Sequence, residues 1–447
     1  SNSADAWIGI GLGTFRLGVR DRARAAFLRA DSLSPGDETV RTHLERLPLP
    51  IDASQLAVYT RPDTLRIGAR TVPRGFEVPD GGGGWRPLWI KAVNIGAALP
   101  GKHPSEFPPD DGTYQEWSRL VAEMGANAVR VYTIHPPHFY QALDTWNRAH
   151  PGEPVWLIHG VWTELPPGKL ESEYDDVAWN AQFEAEMRRV VDLLHGNAAI
   201  PRRPGHAAGL YRTDVSRWTM GYITGREWEP YSVVAFAKEH PDRTAFEGRY
   251  VRVTGGNAVD VWLARFAETM IAYEMDRYNA QRPVAYTNWP TLDPLVHPTE
   301  TTREEEAALL RARGEHLPES SREYDNDAVG LDATRMTATA AFPAGLFASF
   351  HAYPYYPDFM LYDPGYTAAR SPEGPSNYFG YLRELVEHHG EMPVVISEYG
   401  VPSSRGQAHF QPQGWNHGGH DEAGQAAINA RHTRETPAAG AAGAGLF

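Results

Sequence analysis

The chain has 447 residues, no cysteine, and 56 acidic against 42 basic residues, for a net charge of −14. That balance supplies no basic face for nucleic acid or an anionic membrane, and no run of about 18 apolar residues is present to span a bilayer. The lack of cysteine excludes disulfides, thiolate metal sites and a thiol nucleophile, while the length accommodates a barrel of about 250 residues with additions.

Ser1-Asn2-Ser3 reads as a cloning remnant, so a natural N-terminus with any signal peptide is expected upstream of it. Residues 5–46 read as helical. Trp7, Ile10 and Gly11, then Ala23, Phe27 and Ala30, with Pro35 closing, match the spacing of a tetratricopeptide repeat. Thr14 stands where that repeat has an aromatic, with Phe15 adjacent, and Asp37–Leu47 reads as a capping helix. A single repeat cannot bury its own apolar face, so this segment either docks a protein partner or buttresses the remainder of the chain. From Pro48 to Gly84 the composition shifts to Pro, Gly and short β-like runs at Gln55–Tyr59 and Thr64–Ile67. The expected division is a helical segment at 1–50, a β-rich connector at 51–86, and one large domain at 87–447.

In that domain strand and helix signals alternate, the pattern of βα units and a parallel sheet. The expected strands are Leu88–Asn94, Ala128–Tyr132, Val155–Trp162, Trp218–Ile223, Val284–Trp289, Leu346–His351 and Pro393–Glu398, with Ala442–Phe447 as an eighth. Helices are expected at 114–125, 176–194, 257–278, 377–389 and 421–434. A long insertion from Pro290 to about Thr334, with an acidic stretch at Arg303–Arg313, reads as a wall or lid of a groove. The eighth strand lies at the end of the sequence, and a longer natural protein is expected. The fold class is therefore α/β, a (β/α)8 TIM barrel preceded by a small helical segment and a short β-rich connector.

Two of these strands end in an acid. Pro393-Val394-Val395-Ile396-Ser397-Glu398-Tyr399-Gly400 is a short buried strand that delivers Glu398 to a loop. Met220-Gly221-Tyr222-Ile223-Thr224-Gly225-Arg226-Glu227-Trp228 delivers Glu227 in the same way. Two carboxylates brought to one barrel face suit glycosidic bond cleavage, one as proton donor and the other as nucleophile or base. The domain from Pro87 onward resembles the large clan of retaining glycoside hydrolases built on TIM barrels, including the family 2 and family 5 catalytic domains. There the acid/base ends strand 4 and the nucleophile ends strand 7.

The resemblance implies Glu398 as nucleophile and Glu227 as acid/base, with Glu227 preferred over Glu229 because it lies directly at the strand's end. Arg226 stands where the clan has an Asn that binds the sugar hydroxyl beside the reacting carbon; it either takes over that contact or points away. Arg130, in Gly-Ala-Asn-Ala-Val-Arg-Val, matches the arginine that keeps the nucleophile ionised; a surface salt bridge is its other reading. His351 and Tyr353 are expected to bond the nucleophile or the sugar. Asn94, Trp162, Asn288, Trp289 and Trp415 complete the expected substrate-binding set, on an oligosaccharide or polysaccharide with β-linkages.

No cofactor or metal is expected. The histidine and carboxylate supply at His135, His138, His417, His420 and Asp421 sits in Pro- or Gly-rich loops without helical ligand spacing. No GxGxxG, Walker or Gly-x-Ser-x-Gly motif is present. Transglycosylation by the same pair, and a silent carbohydrate-binding barrel acting as a scaffold, remain the alternatives. A glycan substrate places the protein outside the cytoplasm, periplasmic or secreted.

Overall fold

The computed structural model describes residues 3–16, 20–47, 51–99, 101–103, 105–203, 205–297 and 330–447. Eight parallel strands close into a barrel: β1 (Ile90–Ile95), β2 (Ala128–Val131), β3 (Trp156–Val161), β4 (Thr219–Thr224), β5 (Val284–Asn288), β6 (Ala348–His351), β7 (Val394–Tyr399) and β8 (Gly443–Leu446). Neighbours in sequence are neighbours in space, and β8 pairs with both β7 and β1. The chain is thus a (β/α)8 TIM barrel. Every residue of β2, β3, β4, β5 and β7 is buried, as parallel strands covered on both faces must be.

β8 has the least strand-like sequence, Gly-Ala-Gly-Leu, and packing explains it. A Cβ on Gly443 would lie 2.5 Å from Ile90 Cβ, and one on Gly445 would lie 2.5 Å from the Ser397 carbonyl oxygen. Only glycine lets β8 close the barrel this tightly.

Ahead of the barrel are α1 (Ala4–Arg16), α2 (Arg20–Leu33) and α3 (Glu38–Arg46), with Ala23, Phe27, Ala30, Val40 and Leu47 forming their own small core. A Cβ on Gly11 would meet the Phe27 ring at 2.8 Å, which accounts for that glycine in a helix. Around the barrel run α4 (Asp111–Glu123), α5 (Pro137–Ala149), α6 (Val177–Leu194), α7 (Pro230–Glu239), α8 (Ala258–Tyr278), α9 (Asn377–His389) and α10 (Glu422–Ala438). Side-chain caps set several of their starts: Asp110, Asp176, Ser376 and Asp421 each accept from a backbone N–H of the first turn, and Asn257 with Asp260 forms a capping box.

The structure departs from the sequence reading in identifiable places. Trp85–Leu88 belongs not to the first barrel strand but to an antiparallel ribbon with Gly75–Pro79 and Arg70–Val72, so this strand runs across the expected boundary at residue 86. Its Phe76, Val78 and Leu88 join Trp156, Met220, Phe347 and Val395 in one apolar cluster that plugs the N-terminal end of the barrel. Gln55–Tyr59 is not a strand; a 3-10 turn occupies Ala53–Gln55. Helix α7 and the antiparallel strands Ala245–Glu247, Val251–Thr254 and Met336–Ala338 are additional to the expected elements. The acidic stretch at Arg303–Arg313 lies outside the described residues; its flanks meet where Leu331 N–H donates to the Leu292 carbonyl at 2.8 Å. Among the described residues no helix is long and apolar enough to cross a membrane.

Beneath the barrel wall, Arg282 and Glu274 form a fully buried ion pair. Arg282 also donates to the carbonyls of Ser216 (2.8 Å) and Thr219 (2.9 Å), tying α8 to the start of β4, and His195 Nε2 meets Glu274 Oε1 at 2.9 Å. Burial acts to raise the Glu274 pKa, but Arg282 and His195 outweigh it and hold the carboxyl below its ordinary value. Removing the acid alone strands a buried guanidinium, so Glu274→Ala is expected to lower stability by about 3–5 kcal/mol in urea unfolding. Because the folded-state pKa is depressed, the pair's contribution stands above the ordinary carboxylate range and is lost as pH falls through it. A midpoint for Glu274→Ala equal to wild type at pH 7 would contradict this account.

Candidate active site

Arg130 lies within β2, only 2% exposed. A guanidinium in that position must find acceptors. Its Nη1 donates to Glu398 Oε1 at 2.7 Å and to Asn94 Oδ1 at 2.8 Å, and its Nη2 reaches His351 Nε2 at 3.1 Å. Asn94, from β1, is itself held by its Nδ2, which contacts the carbonyls of Ser397 (2.9 Å), Gly445 (3.2 Å) and Leu446 (3.2 Å). Its amide is therefore engaged with β7, β8 and Arg130, and it positions the guanidinium where the sequence reading had it contacting substrate.

Glu398 comes from β7 at an irregularity in the pairing. The β6–β7 register shifts so that His351 stands opposite Glu398, and the β7–β8 register shifts between Ile396 and Tyr399. Such shifts re-aim side chains at barrel rims. The second oxygen of Glu398 accepts from the Tyr353 hydroxyl at 2.9 Å. Burial acts to raise the Glu398 pKa, but the Arg130 guanidinium beside it and the hydrogen bonds from Arg130 and Tyr353 prevail and lower it. Tyr353, raised by burial and by the facing carboxylate, remains a phenol and a donor.

Glu227 follows β4 on a turn built by its neighbours. Gly225 adopts φ +84°, where a Cβ would also lie 2.7 Å from the Trp228 ring. Trp228 is fully buried, and its carbonyl accepts from Trp289 Nε1 at 2.9 Å. The glycine turns the chain and the tryptophan anchors it, leaving Arg226 and Glu227 at the rim. Glu229 instead occupies the N-cap position of α7. The Glu227 side chain is 41% exposed against 11% for Glu398.

His351 bridges the two acids, its Nδ1 2.8 Å from Glu227 Oε1 and its Nε2 3.3 Å from Glu398 Oε1. An arginine N–H can only donate, so the Arg130 contact calls for a lone pair on Nε2 and places the imidazole proton on Nδ1, directed at Glu227. An imidazolium would strengthen the pull on Glu398 but would set its N–H against the guanidinium; the neutral ring fits the contacts better. Atoms of Glu227, His351 and Glu398 all lie within 4.8 Å of one another, the one such group of three potential metal ligands among the described residues. A metal there would face Arg130, a fixed cation already bonded to two of the three.

The other expected residues divide in two. Trp289, half-buried, stacks near Tyr356 with centroids 6.2 Å apart, and Trp162, also half-buried, carries Arg226 over its ring at 5.7 Å. Asn288 is turned inward, donating to the Leu331 carbonyl at 2.9 Å. Trp415 is only 5% exposed, with Arg431 over its ring and the edge of His432 against it, so it packs on α10 and offers no open face. His135 Nδ1 bonds Tyr114 OH at 3.0 Å, His138 Nε2 bonds the Pro108 carbonyl at 2.7 Å, and His420 Nε2 bonds the Asn416 carbonyl at 3.1 Å. Pro137 opens α5, so His138 stands on a helix where a loop was expected. Sequence reasoning passed over Tyr355 and His409, which with His417 form a stacked group at 4.7–6.1 Å beside Tyr353; the Tyr353-Pro354-Tyr355-Tyr356 run after β6 was the available signal.

No family model and no curated protein matches the sequence. Among solved structures the chain is similar to an endo-laminarinase from Formosa Hel1_33_131, with 13% identity, a TM-score of 0.42, and 78% of this chain and 75% of that one covered. It is also similar to a glycoside hydrolase family 5 enzyme from Prevotella bryantii B14 (11% identity, TM-score 0.38, 80% and 88% covered). A thermostable mutant of a xylanase from Cellvibrio japonicus follows at 10% identity and TM-score 0.32, with 80% and 86% covered. Likeness this slight carries no argument about chemistry, which rests on the geometry above.

If Arg130 sustains the charge on Glu398, Arg130→Met must raise the Glu398 pKa. The measurement is a carboxyl carbon titration of glutamate-labelled protein, with the signal assigned by Glu398→Gln. Asn94→Ala is expected to move it the same way by less, and an unchanged titration in Arg130→Met would refute the coupling.

Proposed function

We propose that the chain is a retaining glycoside hydrolase that cleaves β-linked oligosaccharides or polysaccharides by double displacement. The observation that carries this reading is the pair of carboxylates at the C-terminal rim of the barrel, with oxygens within 4.8 Å of each other. Retaining enzymes hold their carboxyl groups about 5–5.5 Å apart, whereas inverting enzymes leave about 6.5–9.5 Å for a water. The contrast in environment supports the roles. Glu398, buried against Arg130 and kept ionised, attacks the anomeric carbon. Glu227, at the open rim, gives its proton to the leaving oxygen and then takes one from the water that releases the sugar. His351 Nδ1–H, bonded to Glu227 Oε1, orients that carboxyl so that its other oxygen is the one presented to substrate. Tyr353 and Arg130 hold both Glu398 oxygens through their own donors and fix the angle of attack.

Trp289, Trp162 and Tyr356 supply aromatic faces on which sugar rings stack. A glycan substrate fits a protein that works outside the cytoplasm. The barrel together with the ribbon at residues 70–88 forms the catalytic domain in this reading, the residues ahead of that ribbon a connector, and 1–50 a tetratricopeptide-like unit available to a protein partner. The same pair also performs transglycosylation when a sugar hydroxyl replaces water.

Incubation with 2-deoxy-2-fluoro glycosyl fluorides of the gluco, galacto and manno series, followed by intact mass and peptide mapping, is expected to give a stable adduct on Glu398. An adduct on another acid would sink the assignment. Glu227→Gln is expected to lower kcat/KM for substrates with poor leaving groups by about 10²–10⁴-fold and to spare kcat/KM for those with good ones, whose turnover is then limited by hydrolysis of the glycosyl-enzyme. With the Glu398 pKa depressed, kcat/KM is expected to persist below the ordinary carboxylate range and fall only when Glu398 takes up a proton.

A further inference from the structure

Arg226 is placed at the rim beside Glu227 by the same turn, and it is half-buried. Its Nε donates to the Glu227 carbonyl at 3.2 Å and its guanidinium lies over Trp162 at 5.7 Å from the ring centroid. The hydrogen bond uses one N–H, while Nη1 and Nη2 meet no acceptor and no carboxylate among the described residues. In a chain with 56 acidic and 42 basic residues this stands out. The buried arginines 130 and 282 each hold a glutamate, and the Glu227 carboxyl beside Arg226 is turned to His351. A planar fork held over an aromatic ring and open at its two outer nitrogens matches a two-oxygen anion.

We propose that Arg226 is a specificity-determining residue and that the glycan carries an anionic group, a carboxylate or a sulfate ester, on a sugar next to the cleaved bond. This rests on the hydrolase reading for the site's reaction, but binding alone decides it. The Trp162 ring beneath the guanidinium lowers the entropy lost on capture and keeps the cation from folding back onto Glu227 and Glu398. The two cations then divide the work: Arg130 serves the protein's own carboxylate and Arg226 the substrate's.

The test is calorimetric binding to the full chain carrying Glu227→Gln, which slows turnover, with and without Arg226→Ala. The probes are cello-, laminari-, xylo- and manno-oligosaccharides, the C6-carboxylate forms of the hexose series, and sulfated forms of each. At least one carboxylated or sulfated oligomer is expected to bind roughly tenfold or more tightly than its neutral parent. Arg226→Ala is expected to abolish that margin, and 0.5 M salt to shrink it, as roughly expected for a screened charge. Carboxylate preferred over sulfate, or the reverse, identifies the source of the anion. Equal or tighter binding of every neutral parent, or a margin untouched by Arg226→Ala, overturns the proposal. Cleavage by the wild-type chain is followed separately through reducing ends. Anion-dependent binding without cleavage of any probe would support Arg226 and defeat the hydrolase reading; cleavage of neutral glycans by the wild-type chain with no anion-dependent margin in binding would do the opposite.

Discussion

A carboxylate and a guanidinium buried together inside a barrel rim are costly to desolvate, and the surroundings of Arg130 and Glu398 offset that cost. Asn94 takes a second bond from the guanidinium, His351 a third, and Tyr353 satisfies the remaining oxygen of Glu398. Each of these partners comes from a different part of the barrel: β1, the end of β6, and the loop beyond it. Asn94 is in turn fixed by carbonyls of β7 and β8, so the bonds that hold the charged pair form only when the barrel is closed in this register. Barrel closure and the ionisation of Glu398 are thus one constraint. The two glycines of β8 are part of it, because a Cβ on Gly445 would collide with the Ser397 carbonyl and crowd the Asn94 amide at 3.1 Å.

The second acid is held by the opposite logic. Glu227 stands on a turn, is mostly clear of cations, and reaches the pair only through the ring of His351. The imidazole joins a donor-only guanidinium on one side to a carboxyl on the other, so its tautomer is set by Arg130 and its proton is directed at Glu227. One fixed charge therefore governs both acids, through a direct bond to Glu398 and through a relay to Glu227. A pair of carboxyls in unlike surroundings is the arrangement that lets two chemically identical side chains take different roles.

Much of this was legible in the sequence because it depends on local pattern. The runs Val394-Val395-Ile396 and Ala128-Val129-Arg130-Val131 are short and apolar, flanked by turn residues, and the helices begin at Asp176, Asn257 and Ser376, whose side chains cap them. Glu398, Glu227 and Arg130 stand at or just beyond strand ends, where a barrel's rim residues must stand. The role of Asn94 was not legible, since nothing in Val93-Asn94-Ile95 reveals that three carbonyls from β7 and β8 will converge on it. Trp415 was misplaced for a related reason: an aromatic in a Gly-rich loop reads as exposed until Arg431 and His432 of α10 are seen to cover it. Leu88, the last residue of the ribbon, was absorbed into the first strand because Leu88-Trp89-Ile90 is apolar throughout, and only the antiparallel pairing of Leu88 with Phe76 separates the two.

The turn after β4 joins these threads. Gly225 and Trp228 shape it, one by its left-handed backbone and the other by its burial, and the two residues between them are held less tightly at the rim. Glu227 uses that freedom to stand at the open rim, and Arg226 uses it to lie on Trp162. A change from a neutral amide to a guanidinium at this position leaves the distance between the acids untouched, because that distance is set by His351 and by the register of β6 against β7. In the proposed hydrolase, the reaction and the selection of what is reacted would thus fall to neighbouring residues that answer to different parts of the structure.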